Sequence, residues 1–99
     1  MILEIADFRI APGQQAAFEA AVARGVAEAI STAKGFKGYK LNRCIETPER
    51  FVLMIDWDTL EDHTVGFRES PAFTAWRAIV GPFFAAPPVV EHFELASKS

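Results

Sequence analysis

The chain of 99 residues is 51% hydrophobic, with a formal net charge of −3 and an isoelectric point near 5.3. That length suits one domain, residues 1–99, and the acid excess offers no electrostatic footprint for nucleic acid or an anionic membrane. No apolar run approaches the ~20 residues that cross a bilayer, Cys44 is a lone cysteine, and Met1-Ile2-Leu3-Glu4 lacks the basic start and apolar core of a secretory signal, so a cytoplasmic protein is expected.

The first strand is expected over residues 2–10, where Ile2, Leu3, Ile5, Phe8 and Ile10 place apolar groups on both faces. Ala11-Pro12-Gly13 then turns the chain. Phe18, Val22, Gly25, Val26, Ala29 and Ile30 recur at helical spacing and predict a long amphipathic helix from about 13 to 33, closed by Lys34-Gly35. Strands follow over about 36–46 and 50–58, joined by the turn Glu46-Thr47-Pro48-Glu49. In the latter strand Phe51, Leu53, Ile55 and Trp57 share one face, and Val52, Met54, Asp56 and Asp58 the other.

Thr59, with Asp62 three residues on, reads as the N-cap of a short helix over about 60–67. Ser70-Pro71 repeats the start signal for a second short helix that stops near Gly81-Pro82. Val89 to Leu95 is the last strand. The order β-α-β-β-α-β, with its second helix split, is the α+β ferredoxin-like arrangement, whose helices cover one face of a four-stranded antiparallel sheet. The strands are apolar on the other face too. A second copy of the chain is the expected cover, giving a homodimer.

Chemistry-bearing residues gather between Asp56 and Arg77. His63 is a candidate proton-transfer group, since imidazole titrates near neutrality and its i,i+4 relation to Phe67 turns it toward the sheet. The competing reading is a histidine that packs near the helix start, bonded to Asp58 or Asp62. Trp57 and Trp76 suit the walls of a slot for a planar ligand, although Phe73, Trp76, Val80 and Phe84 also follow the spacing of a plain core stripe. Arg77 adjoins that stripe and is a candidate for stabilising an oxyanion. Asp7, Asp56, Arg43 and His92 face either a pocket or a subunit interface; Arg43 is expected to pair with a carboxylate such as Asp7, Asp56 or Glu91. The histidines and cysteine form no ligand pair at metal-binding spacing, and no glycine-rich nucleotide loop is present.

Across nearly its whole length the chain resembles the antibiotic biosynthesis monooxygenase family of dimeric α+β barrel proteins. The resemblance rests on Ile10-Ala11-Pro12-Gly13 before a long helix, Lys34-Gly35-Phe36 entering a strand, Trp57 ending one before an acidic helix start, Ser70-x-x-Phe73, and Pro87-Pro88-Val89. It implies two ferredoxin-like protomers that form a dimeric barrel, and an activity among those of the family: cofactor-independent oxidation of polycyclic phenols, quinol oxidation, or haem degradation. At the positions of the Asn, Trp and His triad of the haem-degrading members this chain has Ala6, Phe67 and Arg77, which disfavours haem. Where many relatives place a histidine, Phe67 stands here, one helical turn after His63.

The resemblance therefore implies a monooxygenase that needs no cofactor or metal and oxidises a small phenol- or quinol-like aromatic with O₂. His63 would shuttle protons, Arg77 would stabilise the anion, and Trp57, Phe67, Phe73 and Trp76 would form the walls. The alternative is a non-catalytic dimer of the same fold that binds a small apolar ligand or serves a pathway as an accessory protein.

Overall fold

A computed structural model describes residues 1–99. Four antiparallel strands, β1 (Ile2–Arg9), β2 (Phe36–Arg43), β3 (Arg50–Trp57) and β4 (Val89–Glu94), form one sheet in the order β2-β3-β1-β4. Two helices, α1 (Gln15–Glu28) and α2 (Pro71–Val80), lie on one face of it. This is the ferredoxin-like α+β order that the sequence predicts.

Alternation along the strands sets the layers. Glu4, Ala6 and Phe8 of β1 are buried with Phe51, Leu53, Ile55 and Trp57 of β3, and Phe18, Val22 and Val26 of α1 complete the core against them. Leu3, Ile5, Val52 and Met54, on the opposite face, are only half-buried, while Val89 and Phe93 of β4 remain 59% and 45% exposed. No helix is long and apolar enough to cross a membrane.

Several elements are shorter than their sequence patterns. The first helix spans Gln15–Glu28 rather than 13–33, because the chain tightens into a 3₁₀ turn at Ile30–Thr32 before Gly35 adopts φ +87° and leads into β2. The second strand stops at Arg43 and the last at Glu94. Ser70 does not cap α2: its hydroxyl donates to the Phe67 carbonyl at 2.6 Å, clasping the end of the preceding helical turn, while Pro71 opens α2 as expected.

That preceding turn begins at Leu60, and Thr59 Oγ1 accepts the Asp62 N–H at 3.1 Å. From Asp62 to Phe67 it is wound as a π-helix, with the Arg68 N–H reaching back to the His63 carbonyl. Such wide turns are uncommon and recur at functional sites. Here His63 and Phe67 are its two buried side chains.

Candidate functional site

Helix packing opens a space above the sheet. α2 lies close on α1 because Gly25 has no side chain: a Cβ there would lie 2.7 Å from Trp76 Cε3. On the floor, Ala6 sits between its register partners Leu53 and Val90, the smallest of the three in the middle of the sheet. Small floor and displaced helix leave a cavity of about 350 Å³, lined mainly by apolar side chains. Its walls include Phe67, Phe73, Trp76 and Phe84, and Arg68 and Arg77 stand on its rim.

One side of this apolar cavity carries Glu4 and His63, which are only 5% and 3% exposed. β1 presents Glu4 on its inner face, paired in register with His92 on β4. The π-helical turn brings His63 down between them. The Trp57 indole N–H donates to Glu4 Oε1 at 2.9 Å, His63 Nε2 lies 3.3 Å from the same oxygen, and His63 Nδ1 is 2.7 Å from His92 Nε2. Both ring nitrogens of His63 are thus engaged, and its face stacks on Trp57 at 5.2 Å between centroids.

Burial opposes charge throughout this chain of groups. It pushes the Glu4 carboxyl above its ordinary 4.5, although the Trp57 N–H and the Arg68 guanidinium both pull the other way. It pulls His63 from 6.5 down to about 3, with Arg68 and then His92 acting in the same sense. His92 is lowered too, by burial and by Arg68. Burial thus disfavours the charged form of both members of the 3.3 Å Glu4–His63 contact, since charging either one means desolvating it.

The rim is different. Arg68 and Arg77 are exposed and belong to none of the ion pairs, whereas Arg43 is bound by Glu19 and Arg50 by Asp7. Arg77 lies with its Cζ 5.6 Å from the centroid of Phe84 and 6.0 Å from that of Phe73. Two cations without carboxylate partners therefore border an apolar hollow.

Of the residues singled out in the sequence, His63, Phe67, Phe73, Trp76 and Arg77 all reach the cavity. Trp57 does not. It is wholly buried behind His63, sealed by Phe36 and Phe67, and its part is to hold Glu4 and support the imidazole. Asp58 and Asp62, the partners named in the competing reading, are not those of His63, which bonds His92 instead. Arg43 pairs across to α1, Asp7 pairs with Arg50 beside it on the outer sheet face, and Asp56 is exposed on that same outer face, so none of the three enters the cavity.

Glu4 and Arg68 were not anticipated. An acid among apolar strand residues was the available signal for Glu4, and one helical position after Phe67 the signal for Arg68. No group of three His, Cys, Asp or Glu side chains is arranged to hold a metal ion.

Comparison with known proteins agrees with this architecture. Residues 1–79 match the antibiotic biosynthesis monooxygenase family. The chain is 39% identical to the uncharacterised protein YczJ of Bacillus subtilis over 94 residues, covering 95% of this chain and 98% of that one. A crystal structure from Bordetella bronchiseptica that bears the family's name is 43% identical, covers 97% of each chain and superposes with a TM-score of 0.91. SnoaB of Streptomyces nogalater, described as a cofactor-independent oxygenase, shares the fold at a TM-score of 0.82 with 18% identity, over 98% of this chain and 94% of its own. On the match over four-fifths of its length and on these relatives, the chain belongs to the antibiotic biosynthesis monooxygenase family.

Proposed function

We propose that this protein oxidises a small hydroxylated aromatic compound with molecular oxygen inside the cavity, the substrate itself supplying the electrons. The carrying observation is the pairing of an apolar hollow of about 350 Å³, within the usual range for small-molecule sites, with a buried acid–base pair and two unpaired rim arginines. Family membership and the fold shared with a cofactor-independent oxygenase support the reaction class.

In this reading the phenol loses its proton to the Glu4–His63 side of the cavity, and Arg77 with Arg68 stabilises the oxyanion. The electron-rich ring then reacts with O₂ at carbon to give a peroxide. Protonation of the outer peroxide oxygen and loss of the ring C–H proton expel water and leave a carbonyl. One oxygen atom enters the product and the other leaves as water, so the phenol O–H and the C–H provide both electrons and both protons. Phe67, Phe73 and Trp76 hold the ring and keep water out.

Oxygen uptake with a panel of hydroxylated naphthalenes and anthracenes tests this directly. Uptake equal to quinone formed is expected, and Arg68→Gln/Arg77→Gln should lower it on the order of 10²-fold, the usual effect of removing oxyanion donors. Binding without uptake for every compound would identify a ligand carrier of the same fold instead.

The outer sheet face belongs to the same proposal. Leu3, Ile5, Val52, Met54, Val89 and Phe93 form an apolar surface no helix covers, with the Asp7–Arg50 pair among them. A second copy packed there would bury it and leave both cavities intact. Sedimentation should show a dimer at micromolar concentration, and Val52→Lys should dissociate it; a stable wild-type monomer would refute the pairing.

A further inference from the structure

The contacts among Glu4, His63 and His92 do more than satisfy buried polar groups. The Trp57 N–H bond and the 3.3 Å approach of His63 Nε2 both fall on Glu4 Oε1; Oε2 is neither bonded nor sealed, and Glu4 lines the cavity, so Oε2 is the oxygen left to meet a ligand. At the other end, His92 is half-buried on the edge strand β4 and does not line the cavity. Its Nε2 is taken by His63, and its Nδ1 is likewise neither bonded nor sealed. The three side chains therefore run in sequence from the cavity wall to the edge strand β4, at 3.3 Å and 2.7 Å.

Hydrogen-bond logic restricts the protons. With every group neutral, each contact holds one proton in one arrangement: Glu4 Oε1–H donates to His63 Nε2, His63 Nδ1–H donates to His92 Nε2, and His92 keeps its outer proton on Nδ1. The opposite arrangement has His92 Nε2–H donating to His63 Nδ1, His63 Nε2–H donating to Glu4 Oε1, and the carboxyl proton on Oε2. The first becomes the second when one proton shifts along each contact while Glu4 Oε2 gains a proton and His92 Nδ1 loses one.

We propose that Glu4, His63 and His92 form a relay that takes the hydroxyl proton of a ligand in the cavity and releases one to solvent at the β4 edge, with no member becoming charged. The ligand proton passes to Glu4 Oε2 as the Oε1 proton moves to His63 Nε2. The His63 Nδ1 proton moves to His92 Nε2, and the outer His92 proton leaves from Nδ1. Three protein groups begin and end neutral, and the only anion formed is the ligand's, beside Arg68 and Arg77. A neutral relay is what this burial favours, since Glu4 is raised while His63 and His92 are lowered. The charged and titratable groups around His63 are Glu4 from β1, His92 from β4 and Arg68 from the end of the π-helical turn; Trp57 of β3 adds its N–H. Glu4 is thereby a catalytic residue, and His92 a positioning and exit group that never meets the ligand.

The relay rests on the reading of the cavity as a site that deprotonates a hydroxylated aromatic, but its test needs no oxidation. para-Nitrophenol is colourless as the acid and yellow as the anion, so anaerobic stopped-flow mixing reads deprotonation while tryptophan quenching reads binding. The wild type should form the bound anion rapidly. Glu4→Gln and His92→Phe should bind the phenol yet form the anion on the order of 10²-fold more slowly, the usual worth of a positioned acid–base group. Nitrogen NMR of the folded wild type should also show His63 exchanging its protonated ring nitrogen on binding, a change that a purely structural histidine would not make. Unchanged anion formation in both variants, or wild-type binding of the neutral phenol alone, would overturn the relay. Loss of oxygen uptake with every aromatic, alongside intact proton transfer through Glu4 and His92, would instead overturn the oxidation and leave the relay standing.

Discussion

Acidification from pH 6.5 toward 3 is expected to remove on the order of 4 kcal/mol of stability through His63 alone. In the folded chain this imidazole is held from its ordinary 6.5 down to about 3, chiefly by burial. As pH falls below 6.5 the unfolded chain therefore takes up the proton first, and the contribution present above 6.5 is lost progressively until the folded state protonates near 3. At about 1.4 kcal/mol per pKa unit the difference is a large part of the 5–15 kcal/mol that holds a typical domain together. His92, also lowered, acts in the same sense. Glu4 acts in the opposite one: its raised carboxyl binds protons more readily when folded, which favours the folded state below its folded value and is lost as pH rises through it. Urea melts across this range should show a steep acid limb in the wild type and a much flatter one in His63→Phe, whatever the variant's stability at neutral pH. An identical slope in both would mean that His63 is already solvated in the native state.

Trp57→Ala should be the most damaging single truncation near the site, costing about 3–5 kcal/mol, as large buried aromatics do. The indole is wholly buried, packs on Phe36, His63 and Phe67, and donates the hydrogen bond at Glu4 Oε1. Trp57→Phe separates its two contributions. The phenyl ring retains much of the packing but removes the N–H, leaving a buried oxygen short of a donor at a cost of about 1–3 kcal/mol. It also removes one of the two influences that lower the Glu4 carboxyl, which should rise further. Denaturant unfolding checks the first effect. Carboxyl titration followed by infrared absorption of Glu4 checks the second, and a Glu4 value unmoved by Trp57→Phe would show that the indole N–H does not govern it.

Much of the architecture was legible because it depends on alternation and punctuation. Phe51, Leu53, Ile55 and Trp57 face inward as their spacing demands, and Gly13, Gly35 and Pro71 stand where turns and a helix start require them. Depth within the inner layer was not legible. Period two puts Trp57 on the same face as Leu53 and Ile55 but says nothing of Phe36 and Phe67 closing over it.

Glu4 was hidden for a related reason. In the sequence it is an acid near the chain start, and only the pairing of Glu4 with His92 across β1 and β4 reveals that a carboxyl 59 residues from His63 meets it. The π-winding of Asp62–Phe67 has no distinct letter pattern either, since Leu60 to Phe67 reads equally well as an ordinary helical turn. It is this winding, with its long reach from Arg68 back to the His63 carbonyl, that positions both the imidazole and the guanidinium beside the cavity.

The central claim is that a neutral, buried imidazole joins Glu4 to His92 behind an apolar cavity, and NMR titration of the two histidines in the folded protein measures it directly. His63 is expected to stay uncharged as pH passes down through 6.5, with one ring nitrogen protonated, and to take up its second proton only near 3 or when the chain unfolds. A His63 that protonates reversibly near 6.5 in a native protein would contradict it, because such a ring stands in water and connects nothing.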